Sequence, residues 1–435
     1  MSRFRSGGGR WALAALCLLA PAVRPQVPAE RAVIVLLKDQ PDPRGLAGYG
    51  GAAAERALRS HAERAQRDLL RLLAARRARA VEPLWILNGL AVTAGPSVLA
   101  ELAARQDVGA IVPERVVRAP ALAAGVAEAP PEPGVALTGA PELWRLGPRG
   151  RGAVVAALDT GVDASHPDLA SRYRGRPHDW YDATGRHPSG PIDVSGHGTA
   201  VMGVMVAGEH GGTAVGMAPE AVWIAARIFN ERGIATSAGI LRAMQWALDP
   251  DGDPATPDRP DVLNNSWTAS VTGCLPEFGL ALRTLRAAGI LPVFAAGNQG
   301  PDPGSVRAPA DDPSAFAVGA ADHADRIDEA SGRGPSPCTG DVAPRLVAPG
   351  VNVRTTDLYG DYVIASGTSL AAPHVSGAVA LLRGAFPGLG PGTLVTALEQ
   401  GAAPLGPPGP DDDGGHGRLD VAAAYRWLGG EGRVR

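Results

Sequence analysis

Three segments place an Asp, a His and a Ser, in that chain order, inside frames of small residues: Ala157-Leu-Asp-Thr-Gly161, Ser195-Gly-His-Gly-Thr199 and Ala365-Ser-Gly-Thr-Ser-Leu-Ala-Ala-Pro373. A hydroxyl is a poor nucleophile at neutral pH. It needs an imidazole to take its proton and a carboxylate to orient that imidazole and stabilise its cation. Asp159, His197 and Ser369 supply these three parts. Glycines beside His197 let another backbone approach, and Ser369 opens an Ala-rich helical run, which exposes its hydroxyl at the positive end of a helix. Taken singly, each has a plainer explanation as a turn residue, a structural histidine or an N-cap. In combination they point to nucleophilic acyl transfer.

The rest of the chain bounds that reading. With 435 residues and 45% hydrophobic content it can bury one large core plus a small accessory domain. A net charge of -3 argues against a nucleic-acid partner. Arg3, Arg5 and Arg10 precede an apolar run over 11–22 that closes on Ala20-Pro-Ala22, a secretory signal pattern too short for a membrane span. No later run is apolar for long enough to cross a bilayer, so the expected location is outside the cytoplasm, free of the membrane after signal removal. In an oxidising compartment the remaining cysteines, Cys274 and Cys338, are compatible with one bridge or with two free thiols.

Two units must position the candidate residues. Over 31–118 the pattern reads strand (32–37), long helix (about 53–79), strand (84–92), helix (97–106), strand (109–112), a small α+β unit with two helices on one face of a sheet. Residues 119–134 are rich in Ala, Pro, Glu and Gly with little periodicity, which predicts a linker and a cleavage zone. From about 135, apolar runs at 153–158, 223–229, 261–264, 291–296 and 315–319 alternate with helical stretches, which predicts a parallel sheet covered on both faces. In such sheets functional groups gather at the carboxyl ends of the strands. Asp159 and Asn298 both fall just after a strand.

The order Asp, His, Ser differs from the Ser, Asp or Glu, His order of α/β-hydrolases and from the His, Asp, Ser order of chymotrypsin-like enzymes. With the three frames above, residues 150–428 resemble the subtilisin family of serine endopeptidases. Asp249-Pro-Asp-Gly-Asp253, Arg259-Pro-Asp-Val-Leu-Asn-Asn-Ser-Trp267 and Ser331-Gly-Arg-Gly-Pro-Ser336 are similar to segments of its bacillopeptidase F-like members. The resemblance implies a secreted peptidase acting on proteins or peptides as a monomer, with no cofactor in the chemistry. It implies the following organisation: signal peptide 1–22, a ferredoxin-like inhibitory propeptide 27–118, a linker with the processing site 119–139, the peptidase 140–428 and a tail 429–435.

The resemblance also implies site residues. Asn298 in Ala295-Ala-Gly-Asn298 would donate to the oxyanion, and only six asparagines occur in the whole chain. Ser266, Trp267 and Thr268 would form one wall of the pocket before the scissile bond and Ala295, Ala296 and Gly297 the other. Gly233, Ile234 and Ala235 would pair with an extended substrate. This chain departs from the family pattern at Ala200, where a second histidine is usual, and at Thr268, where glycine is usual. Arg307 aligns with the base of the pocket, which predicts some preference for acidic residues. Asp249, Asp251 and Asp253 alternate oxygen ligands in a way that hints at structural calcium, although the spacing is not that of an EF-hand and a solvated surface loop is the simpler reading.

Overall fold

The computed structural model describes residues 30–41, 51–119, 132–406 and 409–430. The expected signal peptide, most of the first half of the linker and most of the tail lie outside them. Strands β1 (Arg31–Leu37), β2 (Arg79–Leu84), β3 (Gly89–Ala94) and β4 (Val108–Pro113) form an antiparallel sheet in the order β2-β3-β1-β4, accompanied by helices α1 (Gly51–Ala75) and α2 (Pro96–Ala103). Successive side chains of a strand point to opposite faces. Val33, Val35 and Leu37 therefore join Leu69 and Leu73 of α1, while Ile34 and Leu36 enter the core of the domain that follows. Both faces of β1 are covered, which is why it reads as an unbroken apolar run.

One boundary differs from expectation. The pattern predicts a helix to about residue 79 and a single strand over 84–92. Instead α1 stops at Ala75, β2 occupies Arg79–Leu84, and a 3₁₀ turn over Trp85–Leu87 ends at Asn88 in the left-handed conformation with φ 40°. The Asn88-Gly89 pair that begins β3 is a turn signal. Apolar flanks on both sides masked it.

Beyond β5 (Val116–Arg118) the chain builds a seven-stranded parallel sheet. Its strands are β6 (Val154–Asp159), β7 (Trp180–Asp182), β8 (Val222–Arg227), β10 (Val262–Asn265), β11 (Leu291–Ala295), β12 (Phe316–Ala321) and β13 (Leu346–Pro349), and β9 (Ile234–Thr236) stands apart. The sheet order is β13-β12-β11-β10-β6-β8-β7. From β6 the chain first moves to one side and then returns to β10 on the other, so a topological switch point opens between β6 and β10.

Helices α3 (His197–Val206) and α6 (Thr368–Ala385) cover one face, and α4 (Ser237–Leu248) and α5 (Pro276–Ala287) cover the other. The alternation along β6 divides it between them: Val155 and Ala157 belong to the α3/α6 core, Ala156 and Leu158 to the α4/α5 core. Asp159 continues the first set and is thus aimed at α3. The N-terminal sheet packs outside α4 and α5 through Ile34, Leu36, Ile86 and Leu87.

Strands β14 (Val353–Thr356) and β15 (Tyr362–Ala365) form a hairpin that lies along α3. Thr355 and Thr356 donate their hydroxyls to the carbonyls of Ala200 and Thr199 at 2.6 and 2.8 Å. This approach needs Gly203, where a Cβ would fall 2.2 Å from Thr356 Oγ1 and 2.5 Å from Thr355 Oγ1. Gly203→Ala is therefore expected to destabilise the fold by about 1–3 kcal/mol through overpacking. Urea midpoints of this variant and its parent, both in a Ser369→Ala background, test it; an unchanged midpoint would refute the packing account.

Candidate active site

Asp159 is the last residue of β6 and is 1% exposed. Its Oδ1 accepts from the ring Nδ1 of His197 and from the N–H of Thr160, each at 2.7 Å. His197 is the first residue of α3, and the helix start is pinned to the strand end because Gly198 donates its N–H to Thr160 Oγ1 at 2.9 Å. No larger residue could stand at 198: a Cβ there would lie 2.1 Å from the Gly161 carbonyl oxygen. Asp193 secures the same turn by accepting from the N–H and hydroxyl of Thr199 at 3.0 and 2.8 Å. Burial pulls the His197 imidazole down, but the charge and hydrogen bond of Asp159, with a further contribution from Asp193, outweigh it and raise its pKa above the ordinary value.

Ser369 is the second residue of α6, behind Thr368 and the left-handed Gly367 at φ 140°. It is not the N-cap. Its Oγ donates to the Ser266 carbonyl at 3.1 Å, and the Ser266 hydroxyl returns a bond to the Ser369 carbonyl at 2.8 Å. His197 Nε2 is buried without a hydrogen-bond partner among the described residues. The base and the nucleophile thus stand at the starts of two packed helices, with the bond between them not yet made. Catalytic hydrogen bonds often close only in the substrate complex.

Asn298 follows β11. Its Oδ1 accepts from Thr368 N–H at 2.9 Å and from Thr368 Oγ1 at 2.8 Å. With the oxygen so occupied, the amide NH₂ is the end left to donate. Ser266, Thr268, Ala295, Gly297, Asn298 and Ser369 border one cleft of about 250 Å³. The two expected walls therefore meet. The Trp267 ring braces one of them from the core, edge-on to Phe294 with centroids 5.4 Å apart. Ala296 is not among the cleft-lining residues; its carbonyl accepts from the N–H of Arg307 at 2.9 Å. Arg307 stands behind Gly297, with its Cγ 2.9 Å from where a Cβ at Gly297 would lie, and does not line the cleft. Gly233, Ile234 and Ala235, in and beside β9, are not among the cleft-lining residues; they are already paired with β5 and with Ala119, and it is Arg118 and Ala119 that border the cleft. A disulfide joins Cys274 and Cys338, whose Cα atoms are 4.5 Å apart.

The acidic loop needs a correction. The carboxylates that converge are Asp249, Asp251 and Asp258, with one oxygen of each within 4.8 Å of the others. Asp253 turns outward and accepts the Ala255 N–H at 3.0 Å. Alternation in sequence is not convergence in space, because the loop doubles back to bring Asp258 under Asp251. Burial, and then the charges of Asp251 and Asp249, push Asp258 up to about 6 against the Asp251 N–H bond it accepts.

Sequence reasoning missed Thr160, Asp193, Asn264 and Thr368, which hold the site without reacting. Asn264 donates to Ser266 Oγ and accepts from Ser376 Oγ, at 2.9 and 2.8 Å. The scarcity of asparagine pointed as strongly to Asn264 as to Asn298.

A buried Asp–His pair at the start of α3, and a serine at the start of the helix packed on it that shares a cleft with a side-chain amide, have the parts of a serine hydrolase of the Asp-His-Ser kind. Residues 150–417 match the subtilase family of peptidases, and the chain belongs to that family. It is 35% identical to bacillopeptidase F of Bacillus subtilis over 432 residues, which covers 88% of this chain and 29% of that protein. The major intracellular serine protease of Bacillus subtilis is 33% identical, over 58% of this chain and 74% of its own length. Subtilisin of Bacillus pumilus is 32% identical, over 63% of this chain and 92% of its own length. The chain is accordingly a subtilisin-family serine endopeptidase.

Because only the neutral imidazole can accept a proton, a raised pKa moves the active range upward. We expect kcat/KM to rise with pH through a limb above about 6.5, the unperturbed histidine value. In Asp159→Asn burial acts without the opposing charge, so the limb should move to lower pH while the rate falls by about 10⁴. A pH–rate profile with no downward move in that variant would refute the assignment.

Proposed function

We propose that the chain is a secreted endopeptidase made as an inactive precursor that matures by cutting itself. The observation that carries this reading is β5. Val116–Arg118 lies antiparallel on β9, Ala119 donates its N–H to the Gly233 carbonyl at 2.8 Å, and Arg118 and Ala119 border the same cleft as Ser369. Laying an extended chain on a sheet edge is a general mode of peptide recognition. Here the chain's own segment takes the substrate's place, with Val117 fully buried between two outward-facing neighbours.

The N-terminal domain is fastened beside that strand. Arg115 pairs with the buried Glu277 at 3.1 Å, Glu114 accepts the Ala238 N–H at the start of α4, and Thr284 donates its hydroxyl to the Ile86 carbonyl. These contacts support reading 27–118 as an inhibitor and folding aid, 119–139 as the processing region and 140–428 as the peptidase. Val135, in a short helix over Pro133–Leu137, is part of the α3/α6 core, which favours cleavage before about residue 132. The signal pattern over 1–22 supports secretion.

In the proposed reaction Ser369 Oγ attacks the peptide carbonyl as His197 takes its proton, and Asp159 orients the ring and stabilises its cation. The Asn298 amide and the Ser369 N–H donate to the oxyanion. His197 then protonates the departing amine, and a water repeats the sequence on the acyl-enzyme. These groups complete the reaction without a cofactor, so any calcium would be structural. Recognition through main-chain bonds leaves side-chain selection to the walls formed by Ser266 to Thr268 and Ala295 to Gly297.

Two experiments test this. Purified Ser369→Ala should remain full length and resist fluorophosphonate labelling, whereas N-terminal sequencing of the wild type should find a new start within 119–139; processing of the pure variant would rule out self-cleavage. Asn298→Ala should lower kcat by about 10²–10³ with KM little changed, and an unaltered kcat would remove Asn298 from the oxyanion site.

A further inference from the structure

The cleft wall that begins at Ser266 has two parts of different solidity. Its inner part is packed: Trp267 and Ala269 are buried, and Ser266 is locked to Ser369 by a pair of hydrogen bonds. Its outer part, residues 270–274, contains no buried residue and spans the gap between Ala269 and the buried Leu275 that leads into α5. Ser270 belongs to this outer part and still borders the cleft, with φ at 57°. A left-handed conformation is costly for a residue other than glycine and persists where the surroundings impose it.

The ties that impose it converge on one strip, residues 305–311, which binds both walls. Arg307 donates its N–H to the Ala296 carbonyl of one wall at 2.9 Å, and Ala308 accepts from Ala269 and donates to Val271 of the other at 2.8 and 2.9 Å. The strip is held in turn by the loop 331–338, through Val306 N–H to the Arg333 carbonyl at 3.0 Å and the Ser336 hydroxyl to the Asp311 carbonyl at 2.7 Å. That loop also meets the second wall directly: Gly332 donates to the Gly297 carbonyl at 2.9 Å, and a Cβ at Gly332 would fall 2.8 Å from the Ala296 oxygen. Cys274 closes the outer part of the first wall onto this same loop at Cys338. The disulfide therefore joins the least packed part of one wall to the loop that carries the other. The nucleophile's own support does not pass through it, because Asn264, Ser266, Thr368 and Ser376 bond among themselves and to Asn298 and Ser369.

We propose that Cys274 and Cys338 determine specificity: their bridge holds residues 270–274 at the cleft, so that this wall selects the side chain before the scissile bond. The inference rests on reading the cleft as the pocket for that side chain. Without the bridge the outer wall keeps two hydrogen bonds, Ala308 to Val271 and Gly273 N–H to Asp311 Oδ2 at 2.6 Å, both to the one strip. A long substrate side chain then loses a firm contact, while the reacting groups stay in place.

The test compares the active wild type with the double variant Cys274→Ser, Cys338→Ser on two peptides that differ only in Leu or Ala before the scissile bond. KM for the Leu peptide should rise roughly tenfold, KM for the Ala peptide should rise less, and kcat should stay within about twofold for both. Dithiothreitol on the folded wild type, where Cys274 is exposed, should produce the same shift, and reoxidation should reverse it. This second measurement decides the matter if the double variant does not fold. An unchanged KM for the Leu peptide, an equal rise for both peptides, or a loss of kcat overturns the proposal. Thr268→Phe with the bridge intact tests the cleft itself and should raise KM for the Leu peptide by roughly tenfold. If it alters neither peptide, the pocket reading fails and the inference with it. A shift in Thr268→Phe without one in the disulfide variant keeps the pocket and removes the role of the bridge.

Discussion

The catalytic end of this molecule depends on one buried hydrogen bond, 2.7 Å long, between Asp159 and His197. Taking a carboxylate out of water costs several kcal/mol unless it is paired and hydrogen-bonded. The fold meets that requirement at one oxygen, with a strand whose alternation aims Asp159 at α3 and with the Thr160 N–H as a second donor to Oδ1, while Oδ2 is buried without a hydrogen-bond partner among the described residues. It holds the imidazole by pinning the helix start twice, through Thr160 to Gly198 and through Asp193 to Thr199. A shift of α3 by one residue would leave a buried charge alone. Register and chemistry are therefore the same constraint on this face of the sheet.

The nucleophile is held by a different device. Ser376, Asn264 and Ser266 form a buried chain of hydrogen bonds that ends on the Ser369 carbonyl and so fixes the start of α6 against the end of β10. Thr368 joins that same start to Asn298, so the amide and the nucleophile cannot move independently. Such preorganisation lets a donor stabilise developing charge without reorganising during the reaction. The free bond is the one between Ser369 and His197. It is also the one that must form and break in each catalytic cycle.

The candidate catalytic residues stood out in the sequence because nucleophilic chemistry demands particular side chains in small-residue frames, and the structure brings Asp159 and His197 into contact. Parallel-sheet alternation was legible too, since strands covered on both faces are written as apolar runs. The break at Asn88 was not, because apolar residues flank it on both sides and the turn depends on a local left-handed conformation. Asp258 was missed for a related reason. Its partnership with Asp251 comes from a loop folding back on itself, which spacing along the chain does not encode. Thr160, Asp193 and Thr368 are short polar residues whose sequence neighbours give no sign of what they touch. Only three-dimensional contact distinguishes them from ordinary turn residues.

The seam between the two domains combines contacts of opposite character. Ile34, Leu36, Ile86 and Leu87 give it an apolar centre, which holds without fine geometry. Around that centre stand pairs that cross the boundary: Arg59 with Asp249, Arg242 with Glu82, and Arg115 with Glu277. In the first and third the carboxylate belongs to the catalytic domain and is almost wholly buried, while the arginine belongs to the N-terminal domain and is about one-third exposed. Removing one partner of a buried pair costs about 3–5 kcal/mol when nothing replaces it. These two arginines therefore couple the N-terminal unit to the larger one: moving the units apart would leave Asp249 and Glu277 each short of a counter-charge.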